Sequence, residues 1–166
     1  MNVAGAQLAD PSFVATVSAV LGDTGLDPHL LSLEITESIL MADTEAAAAT
    51  LRAIAALGVH LALDDFGTGY SSLTYLRRFP VEALKIDRSF VAGIGQDRED
   101  EAIVGMILNL SRALGLQVVA EGVETAEQID QLRRWGCPLM QGFYFGRPMP
   151  AEQIEQFLEA PQPVLS

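Results

Sequence analysis

One unit recurs along the chain and limits its fold more than any other feature of the sequence. In this unit a helical segment leads to a glycine and then to a short apolar run that ends at an acid or an amide. The glycine stands where many helices end, in the left-handed conformation. Clear copies span 51–65, 103–121 and 129–141, with Gly58, Gly115 and Gly136 between helix and apolar run. Alternation of this kind predicts an α/β fold.

The same pattern predicts the individual strands and helices. The apolar runs are short, as in strands that are buried on both faces of a parallel sheet. Residues Ile103, Ile107, Leu110 and Leu114 recur at the spacing of one buried helix face, and 125–128 resembles a capping box. We predict strands at 30–36, 60–65, 83–87, 117–122 and 139–145, and helices near 11–21, 51–57, 103–114 and 129–135.

The length of the chain bounds the number of such units. The 166 residues suit one domain, which we place at 1–160 with a tail at 161–166. A complete (β/α)8 barrel takes roughly 250 residues, and five units fall short of it. The chain is therefore either an open sheet or a partial (β/α)8 TIM-like barrel of about five βα units with the opening strands missing.

Composition excludes several functional classes. The formal net charge of −12 argues against general binding to a phosphate backbone, so DNA and RNA are not expected partners, and an anionic ligand would need bound cations. The single cysteine, Cys137, excludes an internal disulfide framework and a zinc–thiolate cluster. No apolar run approaches the ~18 residues of a membrane span, and residues 1–10 carry no signal-peptide core. We therefore expect a cytoplasmic location.

Polar residues close the apolar runs at the predicted ends of the strands. In a β/α barrel these ends converge on one face, where active sites form, and in an open sheet they also lie together. A single acid at such a position commonly marks only the exit of a strand into solvent. Four strands show the feature, at Glu34, Asp64, Glu121 and Gln141, and this repetition favours a site.

An adjacent pair of aspartates, Asp64 and Asp65, indicates a metal site. Neighbouring strand residues point to opposite sides, so both can face one pocket only where the strand turns, which Gly67 and Gly69 allow. Two carboxylates in one pocket repel each other, and Mg²⁺ or Mn²⁺ relieves this repulsion. Paired ions of this kind serve in phosphodiester hydrolysis. The alternative is an Asp-Asp turn that caps the next helix.

Lys85 lies inside an apolar strand, where a lysine needs a partner. Facing the acids, it can hold a water or stabilise charge that develops on a phosphate. The alternative is a strand lysine paired with Asp87 or Glu82. Gln141 can orient a water without adding charge, and the aromatic residues 143–145 are either core or a platform for a nucleobase.

Five motifs follow one another along the chain. They are Leu-Glu-Ile-Thr-Glu-Ser at 33–38, Leu-Asp-Asp-Phe-Gly-Thr-Gly-Tyr-Ser-Ser at 63–72, Leu-Lys-Ile-Asp-Arg-Ser-Phe at 84–90, Val-Ala-Glu-Gly-Val-Glu at 119–124 and Gln-Gly-Phe-Tyr-Phe-Gly-Arg-Pro at 141–148. In this order they resemble the EAL domain family of cyclic di-GMP phosphodiesterases, and the resemblance extends over 2–158. It implies that 1–160 is an EAL-type domain, a modified (β/α)8 barrel with one antiparallel strand. It also implies Mg²⁺- or Mn²⁺-dependent hydrolysis of cyclic di-GMP to linear pGpG.

The resemblance assigns roles to individual residues. The implied metal ligands are Asn2, Glu34 and Asp64 for a first ion, and Asp65 and Glu121 for a second. The implied catalytic residues are Lys85, which contacts the hydrolytic water, Glu121 and Gln141. Support of the site and of the loop after the aspartate pair falls to Glu37, Glu124 and Thr68. Contact with the substrate falls to Asp87, Phe145 and Pro148.

The resemblance also bears on partners and on activity. It implies a homodimer formed through the loop 65–72, with sensory or cyclase domains upstream in the parent protein. The Glu-Ala-Leu motif that names the family lies, in the family, on an early strand before the position of Asn2, and its glutamate binds metal. We therefore expect a truncated chain that is inactive, or nearly so, alone. The alternative is an inactive EAL domain that acts as a cyclic di-GMP sensor or a protein-interaction module.

Overall fold

Five parallel strands form one sheet whose order follows the sequence. The structure, a computed structural model, describes residues 1–37, 39, 45–69, 76 and 78–159. The strands are β1 (Ser32–Thr36), β2 (His60–Phe66), β3 (Ala83–Ile86), β4 (Gln117–Ala120) and β5 (Leu139–Met140), and each pairs in parallel with the next. Strands in this order, with described helices between β1 and β2, between β3 and β4 and between β4 and β5, are consecutive units of a TIM-like barrel. The predicted α/β class and partial barrel are therefore confirmed.

The first residues of the chain extend the sheet beyond β1. The N–H group of Val3 donates to the carbonyl oxygen of Glu34 at 2.8 Å, and the N–H group of Glu34 donates to the carbonyl oxygen of Met1 at 2.8 Å. These bonds form a parallel bridge between Asn2 and Glu34. Asn2 is thereby held beside the carboxyl half of β1.

Helices precede and follow the strands, and each of them except the last contributes buried side chains to the core beside the sheet. They are α1 (Gly5–Leu8), α2 (Phe13–Thr24), α3 (Glu45–Ala56), α4 (Arg88–Ala92), α5 (Arg98–Leu114), α6 (Ala126–Arg134) and α7 (Ala151–Glu159), with a 3₁₀ turn at Pro28–Leu30. Three helices begin earlier than predicted: α3 begins at Glu45, α5 at Arg98 and α6 at Ala126. Within the described ranges, no helix is long and apolar enough to cross a membrane.

Glycines and a capping box set the helix ends as predicted. Gly58, Gly115 and Gly136 have φ values of 91°, 71° and 80°. At the start of α6, the hydroxyl of Thr125 accepts from the N–H group of Gln128 at 3.2 Å, and the Gln128 side chain accepts from the Thr125 N–H group at 3.1 Å. These local signals are therefore confirmed.

The buried face of α5 is shifted from the predicted one. Val104, Ile107, Leu108 and Ser111 are buried, whereas Leu114 is 38% exposed. Leu114 is the last residue of the helix, where the chain turns towards β4 and leaves the side chain uncovered. The placement of Leu114 on the buried face is therefore wrong.

The two faces of the sheet differ in polarity. The face towards the helices carries nearly inaccessible apolar side chains: Leu33, Ile35, Leu61, Leu63, Leu84, Ile86, Val118 and Ala120. The opposite face lines an open concavity of about 320 Å³ whose wall includes Glu34, Ala62, Lys85 and Val119. The expectation that both faces are buried holds only in part for the described residues, since Ala62 and Lys85 are buried on this face whereas Glu34 and Val119 are partly exposed.

The last strand is shorter than predicted and ends at Met140. Beyond it, the carbonyl oxygen of Gln141 accepts from the N–H group of Val123, and the carbonyl oxygen of Val123 accepts from the N–H group of Tyr144, each at 3.0 Å. The chain therefore curls over the loop after β4 instead of extending to 145. The predicted tail at 161–166 and residues 70–72 of the predicted dimer loop lie outside the described residues.

Candidate functional site

A buried lysine lies among three carboxylates at the carboxyl ends of the strands. Lys85 Nζ is 2.6 Å from Glu121 Oε1, 2.8 Å from Glu34 Oε2 and 3.2 Å from Asp64 Oδ1. The Lys85 side chain is 8% exposed, and the three acids are between 13% and 23% exposed. These four side chains are named the Lys85 cluster below.

Strand alternation brings the Lys85 cluster together. Lys85 stands between Leu84 and Ile86, which are fully buried against the helices, so its own side chain points to the opposite face. Glu34 in β1 and Asp64 in β2 point to that same face, and Glu121 directly follows β4. Because the four strands are sequential neighbours, their carboxyl ends meet at one place.

The other acids proposed as partners of Lys85 are engaged elsewhere. Glu82 Oε2 lies 2.5 Å from His60 Nδ1, at the amino ends of the strands. Asp87 is the N-cap of α4 and accepts from the N–H group of Ser89 at 2.9 Å. Residues 82–84 spell Glu-Ala-Leu, but Glu82 precedes β3 and pairs with His60. Lys85 therefore pairs with the strand-end acids.

Close contact shifts the pKa values within the Lys85 cluster. Burial alone would lower the pKa of Lys85, but its hydrogen bonds and ion pairs with the three carboxylates raise that pKa well above its ordinary value. Burial raises the pKa of Glu121, and the neighbouring carboxylates add to this effect although Lys85 opposes it. Lys85 is therefore a fixed cation at neutral pH, while Glu121 takes up a proton more readily than an ordinary glutamate.

Asp65 reaches the same end of β2 through an unusual backbone conformation. Its φ is 54°, in the left-handed region that residues other than glycine seldom adopt. The N–H group of Asp65 donates to Asp64 Oδ1 at 3.1 Å, and the register with β3 shifts between Leu63 and Phe66. This irregularity breaks the strand alternation and lets both aspartates serve one end of the sheet. The alternative, a cap for the next helix, concerns residues 70–75, which lie outside the described residues.

The carboxyl group of Asp65 is electrostatically coupled to its neighbours. Burial raises its pKa, and the charges of Asp64 and Asp87 add to the rise. Asp65 also shares a hydrogen bond with the carboxylate of Asp87. The hydrogen bonds from Ser89 outweigh burial and hold the pKa of Asp87 below its ordinary value. The two neighbouring carboxyl groups therefore differ, with the pKa of Asp65 raised and that of Asp87 lowered.

The oxygen donors at this end of the sheet suit a hard cation. The amide group of Asn2 lies 3.2 Å from Glu34 Oε2 and 3.3 Å from Asp64 Oδ2. With its nitrogen towards them, the amide donates to both carboxylates; with its oxygen towards them, three oxygens face one another, an arrangement that a cation stabilises. In the described part of the chain, no three His, Cys, Asp or Glu side chains form a metal site by themselves. A metal ion here would therefore use the amide of Asn2 as well as the acids.

Glu37 lies under the loop that follows the aspartate pair. The residue is 7% exposed, and a Cβ atom on Gly69 would come within 3.2 Å of its carboxylate. Neither carboxylate oxygen has a hydrogen-bond partner among the residues that the structure describes. The close approach of Gly69 places Glu37 where it can support this loop.

The residues expected to support the site, Thr68 and Glu124, make contacts in the loops that follow β2 and β4. The hydroxyl of Thr68 donates to the carbonyl oxygen of Asp65 at 2.9 Å, and Glu124 is exposed, its N–H group donating to the side chain of Gln128 at 2.8 Å. The sequence predicts only a capping role for Gln128. Its side chain is buried and also donates to the carbonyl oxygen of Val91 at 3.1 Å, joining α6 to α4. The contact with Val91 spans 37 residues and has no local sequence signal.

The segment after β5 presents both core and surface aromatic residues. Gln141 lines the concavity beside Lys85, and Phe145 is half-buried against the core. Phe143 is 51% exposed, with the guanidinium of Arg147 at 4.5 Å from its ring centroid. Pro148 is exposed. Of the predicted substrate-contacting residues, Phe145 therefore packs on the core and Pro148 lies at the surface.

Comparisons with known proteins agree with this architecture. A family model described as EAL domain matches residues 1–148. The chain is 48% identical over 154 residues to the bifunctional diguanylate cyclase/cyclic di-GMP phosphodiesterase MucR of Pseudomonas aeruginosa. The aligned region covers 93% of this chain and 22% of MucR. The solved c-di-GMP complex of the PaMucR phosphodiesterase has a TM-score of 0.88 and 48% identity, over 92% of this chain and 62% of that chain. The manganese/cy-diGMP complex of Klebsiella pneumoniae BlrP1 has a TM-score of 0.83 and 36% identity, over 89% of this chain and 38% of that chain.

The extent of these matches defines what they show. The chain spans about a fifth of the length of MucR, so the match concerns one region of that relative. Within this chain the family match is nearly complete, because it runs from residue 1 to residue 148 of 166. It contains the whole Lys85 cluster as well as Asn2 and Asp65. The chain belongs to the EAL domain family.

Proposed function

We propose that this chain forms the catalytic part of a metal-dependent phosphodiesterase that hydrolyses one phosphodiester bond of cyclic di-GMP to linear pGpG. The observation that carries the proposal is the Lys85 cluster, in which four successive strands bring three carboxylates and one ammonium to a single point. Both MucR and BlrP1 have solved complexes with this nucleotide, which supports the choice of substrate.

Mg²⁺ or Mn²⁺ is the proposed cofactor. The oxygen donors of Asn2, Glu34 and Asp64 would hold one ion, and Asp65 and Glu121 would hold a second, because hard cations prefer such ligands. The BlrP1 complex contains manganese. Bound ions of this kind neutralise charge on phosphate oxygens and lower the pKa of a bound water.

The chain's own residues position the reactants. Lys85 keeps its proton, so its ammonium can hold the attacking water and stabilise the negative charge that develops on the phosphate. Gln141 orients that water as a neutral amide, and Glu37 supports the loop that carries Asp65. Asp87, Phe145 and Pro148 contact the nucleotide, while Glu124 and Thr68 hold the surrounding loops in place.

The wider setting is part of the same proposal. MucR joins cyclase and phosphodiesterase functions in one protein of which this chain matches 22%, which supports upstream sensory or cyclase domains in the parent. A homodimer through the loop 65–72 and a cytoplasmic location stay predictions. We also propose that residues 1–166 have little activity alone and gain it when the chain is extended at its N-terminus.

The test is hydrolysis of cyclic di-GMP in the presence of Mn²⁺, with pGpG followed by chromatography. Residues 1–166 and an N-terminally extended protein are compared, each beside its Asp64→Asn variant. We expect pGpG from the extended protein and none from its Asp64→Asn variant, because that substitution removes a proposed metal ligand. Arg98→Gln is a surface control that should leave the rate unchanged.

Other outcomes separate the alternatives. Cyclic di-GMP binding by the extended protein without any pGpG would contradict the enzymatic proposal and favour a sensor. Product that forms equally with Asp64→Asn would place the reaction elsewhere. Rapid hydrolysis by a monomer of residues 1–166 would contradict only the proposal of low activity alone.

A further inference from the structure

Gly142 makes the closest backbone approach in the loops around the site. A Cβ atom added to Gly142 would lie 2.1 Å from the carbonyl oxygen of Val123 and 2.2 Å from its nitrogen. Ordinary contacts between such atoms are about 3.5 Å. Only a residue without a side chain can therefore let the segment after β5 approach Val123 so closely.

Val123 lies two residues after Glu121, in a segment that is fixed at several points. The N–H group of Glu121 donates to the carbonyl oxygen of Ile86 at 3.1 Å, which ties its first residue to β3. Two hydrogen bonds of 3.0 Å join Val123 to Gln141 and Tyr144, on either side of Gly142. Glu121 is therefore anchored by β3 on one side and, through Val123, by the segment that Gly142 allows to dock on the other.

We propose that Gly142 is a positioning residue that holds Glu121 against Lys85 by permitting this contact. Gly142 has no side chain that could take part in the reaction, and it acts through Val123. The inference concerns the Lys85 cluster itself; only its metal-binding readout rests on the proposed function. An alanine at Gly142 must push the two segments apart by more than about 1 Å, a displacement large enough to misplace a site residue.

The same turn offers a matched control. A Cβ atom on Gly146 would meet only the flexible end of Met149, at an ordinary 3.5 Å. Neither Gly142 nor Gly146 has a positive φ, so at both positions φ itself does not oppose alanine and the substitutions differ only in steric contact. Gly142→Ala and Gly146→Ala therefore add the same methyl group and differ in what that group meets.

The first readout is the ammonium group of Lys85, observed by ¹H–¹⁵N NMR without metal. Lys85 is the only lysine among the 166 residues, so its side-chain signal needs no assignment. Burial among three carboxylates slows exchange of its protons with water. We expect the signal in the wild-type chain and in Gly146→Ala, and at least a threefold faster exchange or loss of the signal in Gly142→Ala.

The second readout is Mn²⁺ binding by calorimetry, combined with Glu121→Gln. We expect Gly142→Ala to weaken binding about tenfold and Gly146→Ala to change it less than twofold. In the Glu121→Gln background the effect of Gly142→Ala should fall below twofold, because the residue that Gly142 positions is already altered. A purely structural role of Gly142 would weaken binding equally in both backgrounds.

A milder variant keeps the test valid if Gly142→Ala does not fold. Ligation at Cys137 joins residues 1–136 to a synthetic peptide of residues 137–166. In that peptide an ester oxygen replaces the backbone N–H group of Tyr144, so the hydrogen bond from Tyr144 to the carbonyl oxygen of Val123 is lost. Faster exchange of the Lys85 ammonium in this variant supports the proposal. Three results overturn the proposal. They are an unchanged Lys85 signal in both the ester variant and folded Gly142→Ala, an equal loss of the signal in Gly146→Ala, and no signal in the wild-type chain. If the wild-type chain shows the Lys85 signal but binds no Mn²⁺, the proposed metal site is contradicted. The NMR comparison of the variants then still decides whether Gly142 positions Glu121.

Discussion

Replacing Lys85 by methionine removes the positive charge that holds three carboxylates together. The distances of 2.6, 2.8 and 3.2 Å show direct ion pairs, and the lysine is 8% exposed. Removing one partner of a buried ion pair costs about 3–5 kcal/mol, because the remaining charge is left uncompensated. The acids are partly accessible to water, which relieves some of the repulsion. We therefore expect a loss of about 3 kcal/mol at pH 7 in the presence of a chelator.

The measurement is urea unfolding followed by the fluorescence of Trp135, the only tryptophan. Arg98→Met is the matched control, since it changes the net charge equally at an exposed position and should alter the free energy of unfolding by less than about 0.5 kcal/mol. A loss below about 1 kcal/mol for Lys85→Met would refute the claim that the lysine compensates the three acids.

The pH dependence of the free energy of unfolding gives a second check on how Lys85→Met destabilises the chain. The pKa of Glu121 is already raised by burial, and loss of the Lys85 hydrogen bond raises it further. A carboxyl whose folded-state pKa is raised contributes stability below its unfolded pKa and loses that contribution as the pH rises. The deficit of Lys85→Met should therefore be small near pH 4 and grow towards pH 7. An equal deficit at both pH values would contradict this account.

Three further predictions concern the core and the loops. Ile107→Ala should destabilise the chain by about 2–5 kcal/mol, because Ile107 is fully buried, whereas the neighbouring Met106→Ala should change little; similar urea midpoints would contradict the packing. Gln128→Ala should cost about 2 kcal/mol, because it strands buried backbone groups; an unchanged midpoint would contradict those bonds. In ¹³C NMR titrations the carboxyl pKa of Asp65 should exceed its ordinary value and fall in Asp87→Asn, in which one neighbouring charge is gone; a rise would contradict the coupling.

Local chemistry explains what the sequence could predict. The glycine after each apolar helix fixes the helix end through its own backbone freedom, so Gly58, Gly115 and Gly136 mark the strands that follow. Lys85 and Glu34 stand between apolar neighbours in their strands, and period-two alternation decides which face they reach. Sequence order and sheet order coincide, and for this reason the acids at the strand ends meet.

Contacts between distant segments explain what the sequence could not predict. The left-handed conformation of Asp65 accompanies the register shift between β2 and β3. No spacing of residues in the sequence predicts this shift. The end of β5 at Met140 depends on hydrogen bonds between the loop at Val123 and the segment after Gln141. Aromatic residues at 143–145 have strand-like composition, and this led to a predicted strand that is too long.

The sequential order of the sheet has a consequence for synthesis on the ribosome. Each strand pairs with the one made just before it, so the charges of the Lys85 cluster emerge one at a time: two carboxylates, then the ammonium, then the last carboxylate. A nascent chain that has joined β1 to β2 brings Glu34 and Asp64 together without a cation from β3. Docking of β3 then neutralises this repulsion while it buries Leu84 and Ile86. The third strand therefore brings the only positive charge of the cluster and two fully buried side chains to the sheet in the same step.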